Sequence, residues 1–350
     1  MRLMKAFSTA LLVALAAASL IAATKIQRTG AGVIATVNPA QETRLPLLYW
    51  AQGIETAPAL KQAGIKQIAA PPAKLNEWGK AGFNVLALSQ RDLERREKLL
   101  VPRVAGRADV ASATRRPWID SNGWRFIRRP TGKFYYDLAE KGAGQATLAI
   151  AEAFAYQADA ILKIDPADLA AAGKMLAFLS ALPPSSLPVI ADIGLIDDGS
   201  AVTGEVMNLL TRRNLLFRIV SAPAPQLRVN VKLGSKDYPR IEASDPSAFA
   251  LKVRRQLGDE NRSLRIYGTE IVIGRLTGDS ARLQLHLLNY SGREVDSPRV
   301  RMRGNYGKGG LKAFGIEEAG FEDFIVAEGA TEFTIAKLGV YALIELPAVK

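Results

Sequence analysis

Acidic residues at the ends of predicted strands are the first candidates for chemistry in this sequence. Asp137 and Glu140 follow the aromatic strand KFYYD, beside a glycine-containing turn that would let a ligand approach. A protonated carboxyl group and an ionised carboxylate that face one site can act together as acid and base, or as acid and nucleophile. The alternative is that both acids only begin the next, Ala-rich helix, where negative charge favours the helix dipole.

Asp192 differs from this pair because it lies inside the predicted strand 188–196, in the stretch PVIADIGLI. A strand that is buried on both faces rarely carries a carboxylate unless the carboxylate is paired or functional. One interpretation is a catalytic acid that faces a cleft, where a neighbouring carboxylate would raise its pKa. The other is a buried structural acid that is held by arginine or by backbone amides.

Two further acids, Asp197 and Asp198, follow the same strand. With Gly199 and Ser200 they match turn chemistry, and Ser200 or Thr203 can cap the following helix. Turn and cap roles explain the pair more simply than catalysis does. The loop would still form part of the rim of a cleft, so both residues are candidate ligand contacts.

An aromatic and basic stretch, RRPWIDSNGWRFIRR, occupies residues 115–129. Tryptophan faces stack on sugar rings, and arginine forks bind carboxylate or sulfate oxygens. The alternative is that the two tryptophans anchor the loop to the core while the arginines are solvated. Tyr49 and Trp50, at the end of the first strand, either extend this aromatic surface or lie in the core. The candidate ligand-binding residues of both segments are Trp50, Trp118, Asp120, Asn122, Trp124 and Arg125.

Short apolar strands alternate with amphipathic helices from about residue 45 to residue 220. Gly64 and Gly82 fit the positions just after two of these helices, where a left-handed backbone favours glycine. Repeated strand–helix units predict parallel strands with helical crossovers. About eight units can be counted, so the pattern predicts an α/β fold of the (β/α)8-barrel type, complete or irregular. A doubly wound open sheet is the alternative, especially for residues 188–258.

The pattern changes after a predicted bridging helix at 245–257. Seven short runs of alternating polarity follow, at 263–276, 282–290, 299–303, 310–314, 321–326, 331–335 and 339–346. They predict a small antiparallel β-sandwich at 259–350, after a barrel-like domain at 25–258. In the run RLQLHLLNY, His286 shares the polar face and is expected to be half-exposed.

The N-terminal segment predicts export from the cytoplasm. Residues 1–24 combine a basic start with an apolar stretch rich in Ala and Leu, which is typical of a signal peptide. An uncleaved membrane anchor is the alternative and would be the only membrane contact. The mature protein is therefore expected to be periplasmic or secreted.

Composition excludes several classes of site in this 350-residue chain. It has no cysteine and one histidine, so thiol chemistry and multi-histidine metal sites are excluded. The net charge is +12, of which +11 lies in the first 261 residues, so an anionic partner is conceivable. No phosphate-binding loop or nucleic-acid-binding motif accompanies that charge, so a nucleic-acid partner is not expected.

Four segments resemble those of secreted bacterial glycoside hydrolases that join an α/β barrel to a C-terminal β-sandwich. This resemblance implies a site at the carboxyl ends of the barrel strands, a two-carboxylate hydrolysis of a carbohydrate (an acidic one, given the arginines), and no cofactor or metal. The chain departs from the commonest barrel clan because its Asn76-Glu77 pair falls inside a predicted helix. A non-catalytic carbohydrate-binding or cell-envelope relative is therefore the alternative. The segments are EKGAGQATLAIAEAFAYQADAIL, DDGSAVTGEVMNLLTRRNLLFRIV, LQLHLLNYSG and LGVYALIEL.

Overall fold

A computed structural model describes residues 45–105, 118–139, 141, 144–183 and 187–349. Glu140 and the predicted signal segment at 1–24 lie outside these residues. The described residues form part of one compact unit that spans Thr43–Lys350. Within them, no helix has the length and apolar character needed to cross a bilayer.

The first part of the chain alternates between strands and helices, as the sequence pattern predicts. Strands β1 to β11 are, in chain order, Leu47–Tyr49, Gln67–Ala70, Asn84–Ala87, Glu97–Lys98, Arg103–Ala105, Trp118–Asp120, Lys133–Asp137, Asp159–Lys163, Ile193–Ile196, Phe217–Ile219 and Val229–Lys232. Helices α1 to α8 are Ala57–Gln62, Leu75–Lys80, Gln90–Glu94, Gly123–Arg128, Ala146–Ala155, Leu169–Ser180, Ala201–Arg212 and Pro246–Leu257.

Local sequence signals explain where several of these elements begin and end. Gly64 and Gly82 have φ angles of 74° and 91°, which confirms their predicted left-handed conformation after α1 and α2. The carboxylate of Asp165 accepts the N–H of Ala167 at 2.9 Å and so caps the helical turn that precedes α6. The Ser200 hydroxyl likewise accepts the N–H of Thr203 at 3.2 Å and caps α7.

The parallel strands form two sheets among the described residues. The larger sheet has the order β3-β2-β1-β8-β7-β4, in which every pair is parallel. Strand β1 lies inside the sheet, with β2 and β3 on one side of it and β8, β7 and β4 on the other. In the described part of the chain the two edge strands, β3 and β4, do not pair with each other, so the sheet is not closed there.

The smaller parallel sheet has the order β10-β9-β11 and its own apolar core with α7 and α8. The prediction of one eight-unit barrel therefore needs correction, because the described parallel strands are divided between two sheets. The open-sheet alternative for 188–258 agrees with this second sheet. Strands β9 to β11 pair with one another rather than with the larger sheet, because their apolar side chains are buried against α7 and α8.

The larger sheet has two distinct faces. Its outer face packs against helices in the main core, which includes Phe134, Tyr136 and Leu162. Side chains alternate along a strand, so the neighbouring positions point the other way. That second face, here named the inner face, carries Tyr49, Ile161 and, partly buried, Tyr135.

The C-terminal part consists of antiparallel strands, as predicted. Strands β12 to β21 are Leu264–Tyr267, Val272–Gly278, Arg282–Asn289, Val295–Asp296, Arg299–Arg303, Gly310–Ala313, Phe321–Ala327, Ala330–Ile335, Lys337–Leu338 and Tyr341–Pro347. Two four-stranded sheets, β12-β16-β19-β18 and β13-β14-β21-β17, contribute to one apolar cluster. The predicted run 263–276 is in fact two strands in different sheets, because the chain turns at Gly268, whose φ is 79°.

Candidate functional site

Asp137 lies at the carboxyl end of β7, on the inner face of the larger sheet. The strand KFYYD alternates, so Phe134 and Tyr136 enter the main core while Tyr135 and Asp137 point to the inner face. Lys163 of the neighbouring strand β8 is in register with Asp137 and shares that face. These residues form one polar edge where the parallel strands end.

A lysine accompanies the Asp137 carboxylate at this edge. The Nζ of Lys98, on β4, is 3.3 Å from Oδ2 of Asp137. The side chain of Asp137 is 28 % exposed and that of Lys98 is 66 % exposed, so solvent screens the attraction. The carboxylate therefore remains open to a ligand.

Two tyrosine side chains, Tyr49 and Tyr135, also lie on the inner face. Burial raises the pKa of Tyr135, and the negative charge of Asp137 raises it further. Burial also raises the pKa of Tyr49. Both hydroxyls are thus neutral donors at physiological pH, and such groups can donate hydrogen bonds to ligand hydroxyls or to a carboxylate.

Asp192 lies immediately before β9, at its amino end, and not inside a strand as predicted. Its carboxylate accepts the Ser263 N–H at 2.8 Å and the Ser263 hydroxyl at 2.6 Å, while the Nε of Arg228 lies 3.8 Å away. Burial raises the pKa of Asp192, and the bonds from Ser263 oppose that rise. This geometry matches the structural alternative, and Asp137 and Asp192 belong to different sheets. The structure does not bring them together as an acid and base pair.

Asp197 and Asp198 are engaged in the turn and in ion pairs. Asp197 accepts two N–H groups of Arg128, each at 2.8 Å. Asp198 accepts the Thr203 hydroxyl at 2.6 Å and forms an ion pair with Arg240. Partial burial opposes ionisation, but the hydrogen bonds hold the pKa of Asp198 well below its usual range. These contacts fit the turn and cap interpretation.

Three tryptophans of the predicted aromatic surface are buried or partly buried. Trp50 is buried in the main core and donates its indole N–H to the Thr56 hydroxyl at 2.8 Å. Trp118 is buried in the core of the smaller sheet, with the guanidinium of Arg212 3.6 Å above its ring. Trp124 is partly buried against that same core and lies under Arg125. These contacts fit the interpretation of the tryptophans as core anchors.

The polar members of this segment are structural as well. Asp120 accepts the indole N–H of Trp118 at 3.1 Å, and Arg125 donates to Glu97 at 2.8 Å. Asn122 is fully buried and exchanges hydrogen bonds with the backbone of Leu100. A sugar could not reach Asn122 without unfolding this segment.

Sequence reasoning missed Glu152, a fully buried acid in α5. It accepts the N–H and the side-chain amide of Asn122 at 2.7 and 2.9 Å, and the hydroxyls of Tyr136 and Tyr290 at 2.6 and 2.7 Å. Burial raises the pKa of Glu152, and its four donors oppose the rise. The available signal was a single acid within the apolar helix ATLAIAEAFA. Glu152 joins helix, parallel strand and antiparallel strand, which is a structural role.

His286 also differs from its prediction, since it is buried and not half-exposed. Its Nδ1 lies 2.8 Å from the Tyr341 hydroxyl. Burial, together with the charge of Arg275, lowers the pKa of His286 to about 3. A neutral, enclosed imidazole of this kind is not a base for a serine nucleophile. Among the described residues, no group of three or more acids and histidines is placed to hold a metal ion.

Neither a protein-family model nor a curated protein sequence matches this chain. Its structure is similar to that of α-L-fucosidase isoenzyme 2 from Paenibacillus thiaminolyticus, with a TM-score of 0.50 and 11 % identity over 65 % of this chain and 62 % of that one. The chain has a glycosidase-like fold. It spans less than two thirds of the length of that fucosidase.

Two β-galactosidases give lower scores. The cold-adapted enzyme from Rahnella sp. R3 has a TM-score of 0.40 and 9 % identity over 83 % of this chain and 61 % of its own. The enzyme from G. stearothermophilus has a TM-score of 0.41 and 9 % identity over 86 % of this chain and 63 % of its own.

Proposed function

We propose that this chain acts on a carbohydrate at the inner edge of the larger sheet, and that it hydrolyses a glycosidic bond there. The observation that carries this proposal is the position of Asp137. It is a partly exposed carboxylate at the carboxyl end of a parallel strand in a glycosidase-like fold. The two four-stranded antiparallel sheets would then form a β-sandwich that supports the parallel sheets.

The proposed chemistry uses two carboxyl groups. One protonates the leaving oxygen, while the other attacks the anomeric carbon or activates a water molecule. Asp137 is proposed as the nucleophile or base, and the ammonium group of Lys98 lies 3.3 Å from its carboxylate. Glu140 is proposed as the acid from its sequence position alone. Tyr135, which is partly buried beside Asp137, would line the bound sugar.

A carbohydrate-binding protein without catalysis is the second candidate. It is favoured by the contacts of Asp192, Asp197 and Asp198, whose oxygens are occupied by structural hydrogen bonds. Among the described acids proposed from the sequence, Asp137 is less buried than Asp192 and accepts fewer hydrogen bonds than Asp197 or Asp198. In either case the site is proposed to lie outside the cytoplasm, because of the N-terminal segment.

Hydrolysis of a panel of aryl glycosides tests the proposal. Asp137→Asn should lower kcat by about a hundredfold or more, the usual contribution of an acid or base. Asp237→Asn is the matched control, since Asp237 is exposed on the loop after β11 and should leave kcat unchanged. Glu140→Gln tests the second carboxyl group in the same way.

Three results are informative. Hydrolysis that survives Asp137→Asn unchanged would refute the assignment of Asp137. Sugar binding without hydrolysis by the unmodified chain would establish the second candidate. Neither binding nor hydrolysis with any sugar of the panel would contradict both.

A further inference from the structure

Five arginines line one cavity between the end of α7, α8 and β12. The cavity has a volume of about 870 Å³, part of it open to solvent. It contains none of the inner-face residues, so it is distinct from the site proposed above. The arginines, together with one acid of the lining, are Arg212, Arg213, Arg254, Arg262, Arg265 and Glu270.

The charge of this arginine cavity is only partly neutralised by the described residues. Asp259 is shared between two of the arginines, at 2.6 Å from Arg254 and 3.3 Å from Arg262. Hydrogen bonds from Arg254 hold the pKa of Asp259 well below its usual range, so the carboxylate is ionised. With Glu270 counted as well, five guanidinium groups face two carboxylates. The lining, as far as the structure describes it, therefore carries more positive than negative charge.

Contacts with the surrounding protein hold several guanidinium groups in place. Arg262 is buried and donates to the carbonyls of Arg213 and Asn214 at 3.0 and 3.2 Å. Arg213 donates to the hydroxyl of Ser247 at 2.8 Å. These contacts fix charged groups before any ligand arrives, which reduces the ordering cost of binding.

Arg265 is the arginine best placed to receive a ligand. Its guanidinium lies 4.8 Å from the centre of the Tyr267 ring. Stacking of this kind fixes the plane of the group but uses none of its N–H donors. The planar fork of an arginine can then form two parallel hydrogen bonds to the oxygens of one anion.

We propose that the arginine cavity binds a small ligand that carries a tetrahedral oxyanion, phosphate or sulfate. Several fixed guanidinium groups around one cavity match the three or four oxygens of such an anion better than the two of a single carboxylate. The anion is either a free inorganic ion or an ester group on a sugar. This site is independent of hydrolysis at the inner edge, and either proposal can fail without the other.

Calorimetric titration of the full chain tests the proposal, with inorganic phosphate, inorganic sulfate, glucose 6-phosphate and unmodified glucose as probes. All titrations are made at one ionic strength, because salt screens nonspecific attraction. Saturable binding with one site per chain is expected for at least one of the anions and not for glucose. Tighter binding of glucose 6-phosphate than of phosphate would identify the ester as the ligand, and equal binding would identify the free ion.

The variant Arg265→Ala should weaken this binding by about tenfold to a hundredfold, since a charged hydrogen-bonding group is lost. Arg265→Lys keeps the positive charge but loses the planar fork of N–H donors. Its affinity for the anion should therefore lie between those of the unmodified chain and of Arg265→Ala. Arg282→Ala is the matched control, because this exposed arginine on β14 is paired with Glu345 and lies outside the cavity. Thermal unfolding of each variant confirms that it is folded.

The proposal is wrong if no oxyanion binds saturably. It is also wrong if the folded Arg265→Ala and Arg265→Lys variants bind as the unmodified chain does. An equal loss in Arg265→Ala and Arg282→Ala would show that net charge alone attracts the anion, which would overturn the assignment of a site.

Discussion

The carboxyl ends of β7 and β9 both carry aspartates, but the surroundings of these acids differ. Asp137 at β7 is 28 % exposed, lies 3.3 Å from Lys98 and is hydrogen-bonded to Tyr135. Asp197 at β9 lies in a two-bond pair with Arg128, and the side chains of Asp197 and Arg128 are only 18 % and 14 % exposed. The same residue type at the same kind of strand end is therefore more open to solvent and less tightly paired in one sheet than in the other.

This difference indicates that the role of a carboxylate depends more on the hydrogen-bond donors around it than on its position in a strand. An acid whose oxygens all accept good hydrogen bonds contributes to stability and costs much when it is removed. An acid that is left open contributes little to stability and is free to meet a ligand. The three predictions below test whether this distinction holds.

Glu152 should show the largest effect, because it is the acid with the most complete set of donors. Glu152→Ala leaves the hydroxyls of Tyr136 and Tyr290 and the amide of Asn122 buried without their acceptor. We expect a loss of about 3–5 kcal/mol in the free energy of unfolding, as for other broken buried networks. Denaturant unfolding measures it, and a loss below about 1 kcal/mol, the size of a single ordinary hydrogen bond, would break the comparison.

Asp197 and Asp137 should differ in the same experiment. Asp197→Ala removes a partly buried ion pair with Arg128 and should cost about 1–3 kcal/mol. Asp137→Ala removes a screened lysine contact and the hydrogen bond with the partly buried Tyr135, and should cost less than Asp197→Ala, about 1 kcal/mol or below. Equal losses in the two variants would show that exposure does not separate the two strand ends.

A pH-dependent effect is expected from Asp192. Burial raises its pKa in the folded state, so the folded protein binds a proton more tightly than the unfolded chain does. Stability should therefore increase as the pH falls through the raised pKa towards the ordinary value, by about 1.4 kcal/mol per unit of difference. Asp192→Asn should remove this increment.

Unfolding of both chains at neutral pH and near pH 4 measures the increment as a difference between them. Identical pH profiles for the two chains would show that Asp192 titrates as an exposed acid does. That outcome would contradict the structural role that its bonds to Ser263 indicate.

Features that depend on neighbouring residues could be predicted from the sequence. Gly64, Gly82 and Ser200 act through the backbone within a few residues of themselves, and each lies where the local pattern predicts it. The bridging helix at 245–257 agrees with α8 for the same reason, since its Asp-Pro start is a local signal. Strand–helix alternation also predicts the parallel sheets, but not how many sheets the strands form.

Features that join distant parts of the chain could not be predicted. Lys98 meets Asp137 across 39 residues, and Ser263 meets Asp192 across 71. No periodicity or motif in a single sequence predicts which strands become neighbours. The contacts of Lys98 with Asp137 and of Ser263 with Asp192 therefore could not be predicted. The tryptophans at 118 and 124 show the same limit, because their composition suits either a sugar surface or a core.

The bond between Tyr290 and Glu152 joins residues that are 138 positions apart in the chain. Tyr290, Tyr341 and Leu343 of the C-terminal part are also buried in the main core beside the helices. The two parts are consequently not interchangeable modules. A fragment that ended near residue 258 would lose one wall of its interior, and a foreign β-domain grafted in its place would have to supply a phenol to Glu152.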